Sequence, residues 1–284
     1  MNNKKFVLID GSYYMFRAYH GMPELTNGSG EPTGAIYGVI NMVRKLFNEY
    51  QPDYLAVIFD AKGKTFRNDL YPDYKAHRPP MPDDLVCQIS PIHDLIRALG
   101  IPLLMIDDVE ADDVIGTLAT QASQQGLKTY ISSGDKDLAQ LVDDHIILVN
   151  TMSNVILDHN GVVEKYGVPP SSIIDYLALM GDSADNVPGI PKVGPKTAVK
   201  WLAEHGSLEK IVENADQIKG KVGENLRANL EQLHLSKELV TLKLDVELDF
   251  KPHELVQTTP DKDALREAYT RWCFFCWFSY LHNP

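Results

Sequence analysis

At 284 residues, with 44% hydrophobic and 23% charged positions, the chain has an ordinary globular composition and enough length for one large core or a core with an appendage. No run approaches the ~18 uninterrupted apolar residues of a membrane span, and Met1 to Lys5 leads straight into an apolar segment, leaving no room for a secretory signal. Three cysteines argue against a disulfide framework and point to a reducing cytoplasm.

In chain order, Phe6 to Ile9 is a short apolar run ending at Asp10, and residues 35–50 have apolar positions at helical spacing. A second run, Ala56 to Phe59, ends at Asp60. Residues 62–82 fit neither pattern and are basic and aromatic. Residues 83–99 read as a helix interrupted by Pro91, Leu103 to Ile106 as another run followed by Asp107 and Asp108, and 111–125 as a helix stopped by Gly126. Strand patterns at 128–132, 146–149 and 155–157 follow. From Pro170 onward strand signals cease, and helices are expected at 171–180, 195–204, 208–214 and 223–242. Alternating strands and helices predict an α/β fold with a mostly parallel central sheet over 1–169, followed by a helical region over 170–284.

Open α/β sheets place their sites at the carboxyl ends of the strands, so the acids there should converge on one edge. Clustered carboxylates repel unless protonated or bound to a cation. Two groups emerge: Asp10, Asp60, Glu110, Asp112 and Asp113, the last three starting a helix; and Asp135 and Asp137 with Asp182 and Asp185. Oxygen-only donors select hard cations, Mg²⁺ or Mn²⁺. A pair of such ions stabilises both the attacking and the leaving oxygen of a phosphoryl displacement. Asp107, Asp108, Asp143 and Asp144 read as caps and turn residues.

A glycine-rich hairpin, Gly189 to Ala198, runs into a helix with Pro195 at its first turn. Lys192, Gly194, Lys196 and Thr197 would grip a phosphate backbone there. The net charge of −12 does not exclude nucleic acid, because the hairpin and the 62–78 stretch are locally basic.

The ordered motifs LIDGSYYMFRAYH, VIFDAKGKTFRNDLYPDYKAHRPPMP, VEADDVIGTLA, SSGDKDLAQLV and GDSADNVPGIPKVGPKTA closely resemble the 5′ nuclease domain of bacterial DNA polymerase I, in the flap endonuclease family. The resemblance implies a PIN-like nuclease core, a helical arch at about 62–90, and a helix-three-turn-helix at about 181–205 with K⁺ at the hairpin. It implies 5′→3′ exonuclease and flap endonuclease activity on DNA with 5′ flaps, nicks or junctions and on RNA primers, in a monomer of the bacterial cytoplasm and nucleoid. Asp60, Glu110, Asp112 and Asp113 would hold the first Mg²⁺ or Mn²⁺ with Asp10 behind them, and Asp135, Asp137, Asp182 and Asp185 the second. Lys75 and Arg78 would stabilise charge on the scissile phosphate, with Asp112 and Asp113 completing the catalytic set, and Arg17 and Tyr74 would touch the 5′ strand. The tail departs from the pattern: Cys273, Phe275 and Cys276 stand where charges are expected, which predicts an exposed apolar surface. Whether a DNA polymerase is fused or associated is left open. A PIN-like ribonuclease and a non-catalytic DNA-binding module are the competing readings.

Overall fold

The computed structural model describes residues 4–151, 153–274 and 276–277. One sheet contains β1 (Lys5–Asp10), β2 (Tyr54–Ile58), β3 (Leu103–Leu104), β4 (Lys128–Ser132), β5 (Ile146–Asn150) and β6 (Val155–Leu157), in the order β3-β2-β1-β4-β5-β6. Every pairing is parallel except β5 with β6. Alternate residues enter opposite cores: Phe6, Leu8, Ala56 and Ile58 face one, Val7, Ile9, Leu55 and Val57 the other. Burial on both faces is the reason these strands read as unbroken apolar runs.

The helices are α1 (Gly11–Gly21), α2 (Gly34–Tyr50), α3 (Phe66–Leu70), α4 (Asp83–Ala98), α5 (Ala111–Gln124), α6 (His159–Tyr166), α7 (Ile173–Met180), α8 (Pro195–His205), α9 (Leu208–Glu213), α10 (Gly220–Ala228), α11 (Leu230–Val240) and α12 (Lys262–Arg271). Tyr14 of α1, Ile36 of α2, Leu95 of α4 and Leu265 of α12 share the core on one sheet face. Val114 of α5, Leu177 of α7, Trp201 of α8 and Leu239 of α11 share the other. The sheet and the helical region are therefore packed on a common core.

Four expectations change. Pro91 does not interrupt α4, which is continuous from Asp83 to Ala98; the residue whose carbonyl loses its partner, Cys87, lies on the exposed side, where water can replace the missing N–H. The helix expected over 223–242 is two, because Asn229 turns its side chain back onto the Asn225 carbonyl at 2.7 Å and leaves helical backbone angles. Helix α1 escaped notice because Gly11-Ser12 resembles a turn; its N-cap is Asp10, whose Oδ1 accepts from Tyr13 N. Finally, the tail is core rather than exposed surface. Trp272, Phe274 and Trp277 are buried, and the Trp277 ring stacks on Tyr37 at 5.1 Å between centroids. Cys273 and Cys276 are exposed, while Phe275 lies outside the described residues.

Candidate active site

The sheet order changes direction between β1 and β4, and the carboxyl ends of those strands carry the acids, as expected for a switch-point cleft. Asp10 ends β1. Its Oδ1 accepts from Tyr13 N at 2.8 Å and its Oδ2 from the Ser133 hydroxyl at 2.7 Å. That hydroxyl also accepts from Asp135 N at 3.0 Å, so one serine joins the acids of two strands. Gly134 lies between them, and a Cβ there would meet the Tyr13 hydroxyl at 2.3 Å, so a larger residue would displace that ring. Asp60 follows β2, its N–H donating to Ser12 Oγ and its Oδ1 accepting from Ala111 N at the start of α5.

Glu110 precedes α5 and Asp112 lies in its first turn. Asp112 receives no hydrogen bond from any described residue. Desolvation pushes its carboxyl well above the usual range, with repulsion from Asp135, Asp10, Asp60 and Asp137 adding to it. Burial likewise raises Asp10 to about 7, against the hydrogen bonds from Tyr13 and Ser133. Asp135 and Asp137 are also raised, by desolvation first and neighbouring acids second. Four carboxylates that resist ionisation together need positive charge to ionise at neutral pH.

The second group is completed from the helical region. Gly181 (φ 71°) and Gly189 (φ 60°) cross so closely that a Cβ on Gly189 would meet Gly181 N at 2.3 Å, and the pinched loop between them presents Asp182 and Asp185. The carboxylate oxygens of Asp137, Asp182 and Asp185 come within 4.8 Å of one another, and Asp137 Oδ1 is buried without a hydrogen-bond partner. An orphaned buried oxygen facing two other carboxylates fits a cation site.

Cations of the chain already approach these acids. Lys136 Nζ meets Asp182 at 2.9 Å, Arg78 pairs with Asp185, and Lys75 pairs with Glu110 Oε1 and stands 3.7 Å from Asp185. The turn carrying Lys75 docks on the pinched loop through Lys75 N to Asp185 O (3.0 Å) and Asn186 Nδ2 to Asp73 O (2.9 Å). A cleft of about 430 Å³ lies beside it, lined by Asp60, Lys64, Thr65, Lys75, Arg78 and Glu110.

Two site assignments are corrected. Asp113 is fully buried, with Oδ1 accepting from Arg67 Nη2 (2.8 Å) and Lys243 N (2.9 Å), and Oδ2 from Arg67 Nη1 (2.7 Å) and Glu110 N (3.0 Å). Its lone pairs are committed to the protein, so it is not a metal ligand. Tyr74 is 4% exposed and points its hydroxyl at Glu110 and Asp185, so its ring is not available to stack on a base. Arg17 is exposed on α1 beside the half-exposed Phe16, and Lys192, Lys196 and Lys200 are exposed along the hairpin and α8, whose N-cap is Gly194; Thr197 is half-buried in its first turn. Ser12, Ser133, Gly134, Arg67 and Lys136 were not singled out from sequence. The signal for Ser133 was its place two residues before Asp135.

Residues 5–167 match the family model described as 5′-3′ exonuclease, N-terminal resolvase-like domain, and residues 168–263 that described as 5′-3′ exonuclease, C-terminal SAM fold. The chain belongs to the 5′-3′ exonuclease family. The chain is 49% identical to DNA polymerase I of Pseudomonas aeruginosa across 99% of its own length but only 32% of the polymerase. It is 42% identical to the 5′-3′ exonuclease of Buchnera aphidicola subsp. Baizongia pistaciae, covering 97% of this chain and 93% of that one. Its fold is similar to that of T5 5′-exonuclease with bound zinc (TM-score 0.73, 22% identity, 84% and 90% of the two chains). It is also similar to the catalytic core of Rad2 in complex with DNA (TM-score 0.61, 17% identity, 95% and 88%).

Proposed function

We propose that this exonuclease is a structure-specific 5′ nuclease that hydrolyses phosphodiester bonds at 5′ ends, 5′ flaps, nicks and junctions of DNA and removes RNA primers, using two Mg²⁺ or Mn²⁺ ions. The observation that carries this reading is the convergence of acids from three strand ends, the α5 N-terminus and the pinched loop, with raised proton affinities and an unpartnered Asp137 Oδ1. Asp60, Glu110 and Asp112, with Asp10 behind them, would hold the first ion, and Asp135, Asp137, Asp182 and Asp185 the second. When bound, the ions supply Lewis-acid charge for in-line displacement at phosphorus.

The chain's own residues do the rest. Lys75 and Arg78 transfer their charge from Glu110 and Asp185 to the scissile phosphate once cations occupy the carboxylates. Arg17 steers the 5′ strand. Lys192, Lys196 and Thr197, with the backbone at Gly194, hold the duplex, and K⁺ at the hairpin carbonyls would add to that grip. Residues 1–169 act as the nuclease core, with the arch at 62–90, and 170–284 as the duplex-binding region. The protein works as a monomer in the cytoplasm at the nucleoid, alone or joined to a polymerase. No helix among the described residues is long and apolar enough to cross a membrane.

The test is cleavage of a 5′-labelled flap duplex with Mg²⁺ against an EDTA control. Release of the flap with Mg²⁺ alone supports the reading. Selective cutting of single-stranded RNA, with the flap intact, overturns it in favour of a PIN-like ribonuclease.

A further inference from the structure

Arg67, on α3, is 1% exposed, and all five of its guanidinium N–H groups are engaged. Nε donates to Leu239 O at 2.9 Å. Nη1 donates to Asp113 Oδ2 at 2.7 Å and Glu110 Oε2 at 3.3 Å, and Nη2 to Asp113 Oδ1 at 2.8 Å and Thr241 O at 3.0 Å. Burial alone would lower its proton affinity, but Asp113 and Glu110 more than offset that, so it stays charged. Tyr74, also buried, aims its hydroxyl at the same Glu110 Oε2 at 3.1 Å and at Asp185 Oδ2 at 3.2 Å. Burial, then the two carboxylates, push its phenol far up, so it remains a hydrogen-bond donor.

The two oxygens of Glu110 are therefore unequal. Oε2 is held from inside by two donors shielded from solvent. Oε1 is paired with Lys75, a long side chain that is one-quarter exposed and can leave. A carboxylate fixed by one oxygen presents the other in a set direction, and donors that orient a ligand in this way are worth 10- to 100-fold in metal affinity.

We propose that Arg67 and Tyr74 are positioning residues: they clamp Glu110 through Oε2 so that Oε1 faces the cation site, and they act on cleavage through that carboxylate rather than by touching DNA. The proposal rests on the metal-dependent nuclease reading. It differs from a purely structural role, in which Arg67 only ties α3, α5 and the end of α11 together. It also differs from a strand-contact role for Tyr74, which the basic, aromatic sequence around it suggests.

The test compares Tyr74→Phe and Arg67→Lys with the unaltered chain by Mn²⁺ binding without DNA, thermal melting, flap affinity in EDTA, and flap cleavage. Tyr74→Phe removes one oxygen atom from an otherwise unchanged ring, so it carries the test alone if Arg67→Lys does not fold. The expected result is Mn²⁺ binding about 3- to 10-fold weaker in Tyr74→Phe and about 10- to 100-fold weaker in Arg67→Lys. Flap affinity in EDTA stays within about threefold, and cleavage by Tyr74→Phe recovers as Mn²⁺ is raised. Unaltered Mn²⁺ binding with flap affinity reduced tenfold or more in Tyr74→Phe overturns the proposal in favour of a strand contact. A lower melting temperature with unaltered Mn²⁺ binding in Arg67→Lys overturns it in favour of a structural clamp. If the unaltered chain binds Mn²⁺ and the variants weaken that binding, but no flap is cut, the nuclease reading fails while the positioning roles stand.

Discussion

Replacing Ser133 with alanine removes one hydroxyl that donates to Asp10 Oδ2 at 2.7 Å and accepts from Asp135 N at 3.0 Å. Asp10 is 5% exposed, and its remaining donor among the described residues is the Tyr13 N–H on the other oxygen, so Oδ2 would be left buried without its donor. A hydrogen bond to a charged group contributes about 1.5–3 kcal/mol. Since about 1.4 kcal/mol equals one pH unit, losing it should raise Asp10 by about one pH unit or more from its value of about 7. The sign follows from proton uptake. The unfolded chain titrates this group near 3.8 and the folded one near 7, so the folded state binds the extra proton and the metal-free protein gains stability as pH falls from 8 to 6.5. In Ser133→Ala that gain should begin at higher pH, with a melting temperature at pH 8 lower by roughly 3–10 °C. Divalent-dependent cleavage should lose its acid limb at correspondingly higher pH. Melting curves in EDTA from pH 6.5 to 8 are the assay. A variant with the same melting temperatures and the same pH dependence as the unaltered chain would refute the role given to Ser133.

Below pH 6.5 His93, lowered by burial and with Nε2 unpartnered, should oppose that gain, because the unfolded chain then binds a proton that the folded one resists; His93→Gln should steepen the gain in the same melts. Mg²⁺ at 100 times its Kd should stabilise the protein by about 2.7 kcal/mol if it binds only the folded state, and the gain should shrink from pH 8 to pH 6 as protons compete for Asp10 and Asp112. Trp277→Ala should cost about 3–5 kcal/mol, because this ring is 2% exposed and stacked on Tyr37; a melting temperature unchanged by the substitution would mean the tail is not part of the core. Gly189→Ala should lower both melting temperature and cleavage, since its Cβ would strike the Gly181 backbone and open the Asp182–Asp185 loop.

The sheet is legible because strands buried on both faces leave unbroken apolar runs, and the runs of β1 and β2 lead directly into Asp10 and Asp60. Those strand-end acids, with Glu110 and Asp112 at the start of α5, are brought to one edge. Asp182 and Asp185 reach the same edge only through the Gly181–Gly189 crossing, which glycine identity hints at but cannot direct. Asp113 was misread because adjacent acids look alike in sequence: on α5 a step of one residue turns the side chain about 100°, sending Asp112 into the cleft and Asp113 inward to Arg67. Tyr74 is expected from sequence to touch the 5′ strand and Arg67 is one basic residue among several, since no local pattern reveals that α3 folds its arginine beneath the end of α11. The buried tail was misjudged because its partner, Tyr37, is 240 residues away on α2.

Single-turnover cleavage of a labelled 5′ flap by Asp112→Asn and Asp182→Asn tests the central claim most directly, since it takes one carboxylate from each group. Both variants should bind the flap within about threefold of the unaltered chain in EDTA. Both should cut it at least about 100-fold more slowly with Mg²⁺, as loss of a metal ligand at a two-ion phosphoryl-transfer site requires. Cleavage at the full rate by either variant would contradict the account.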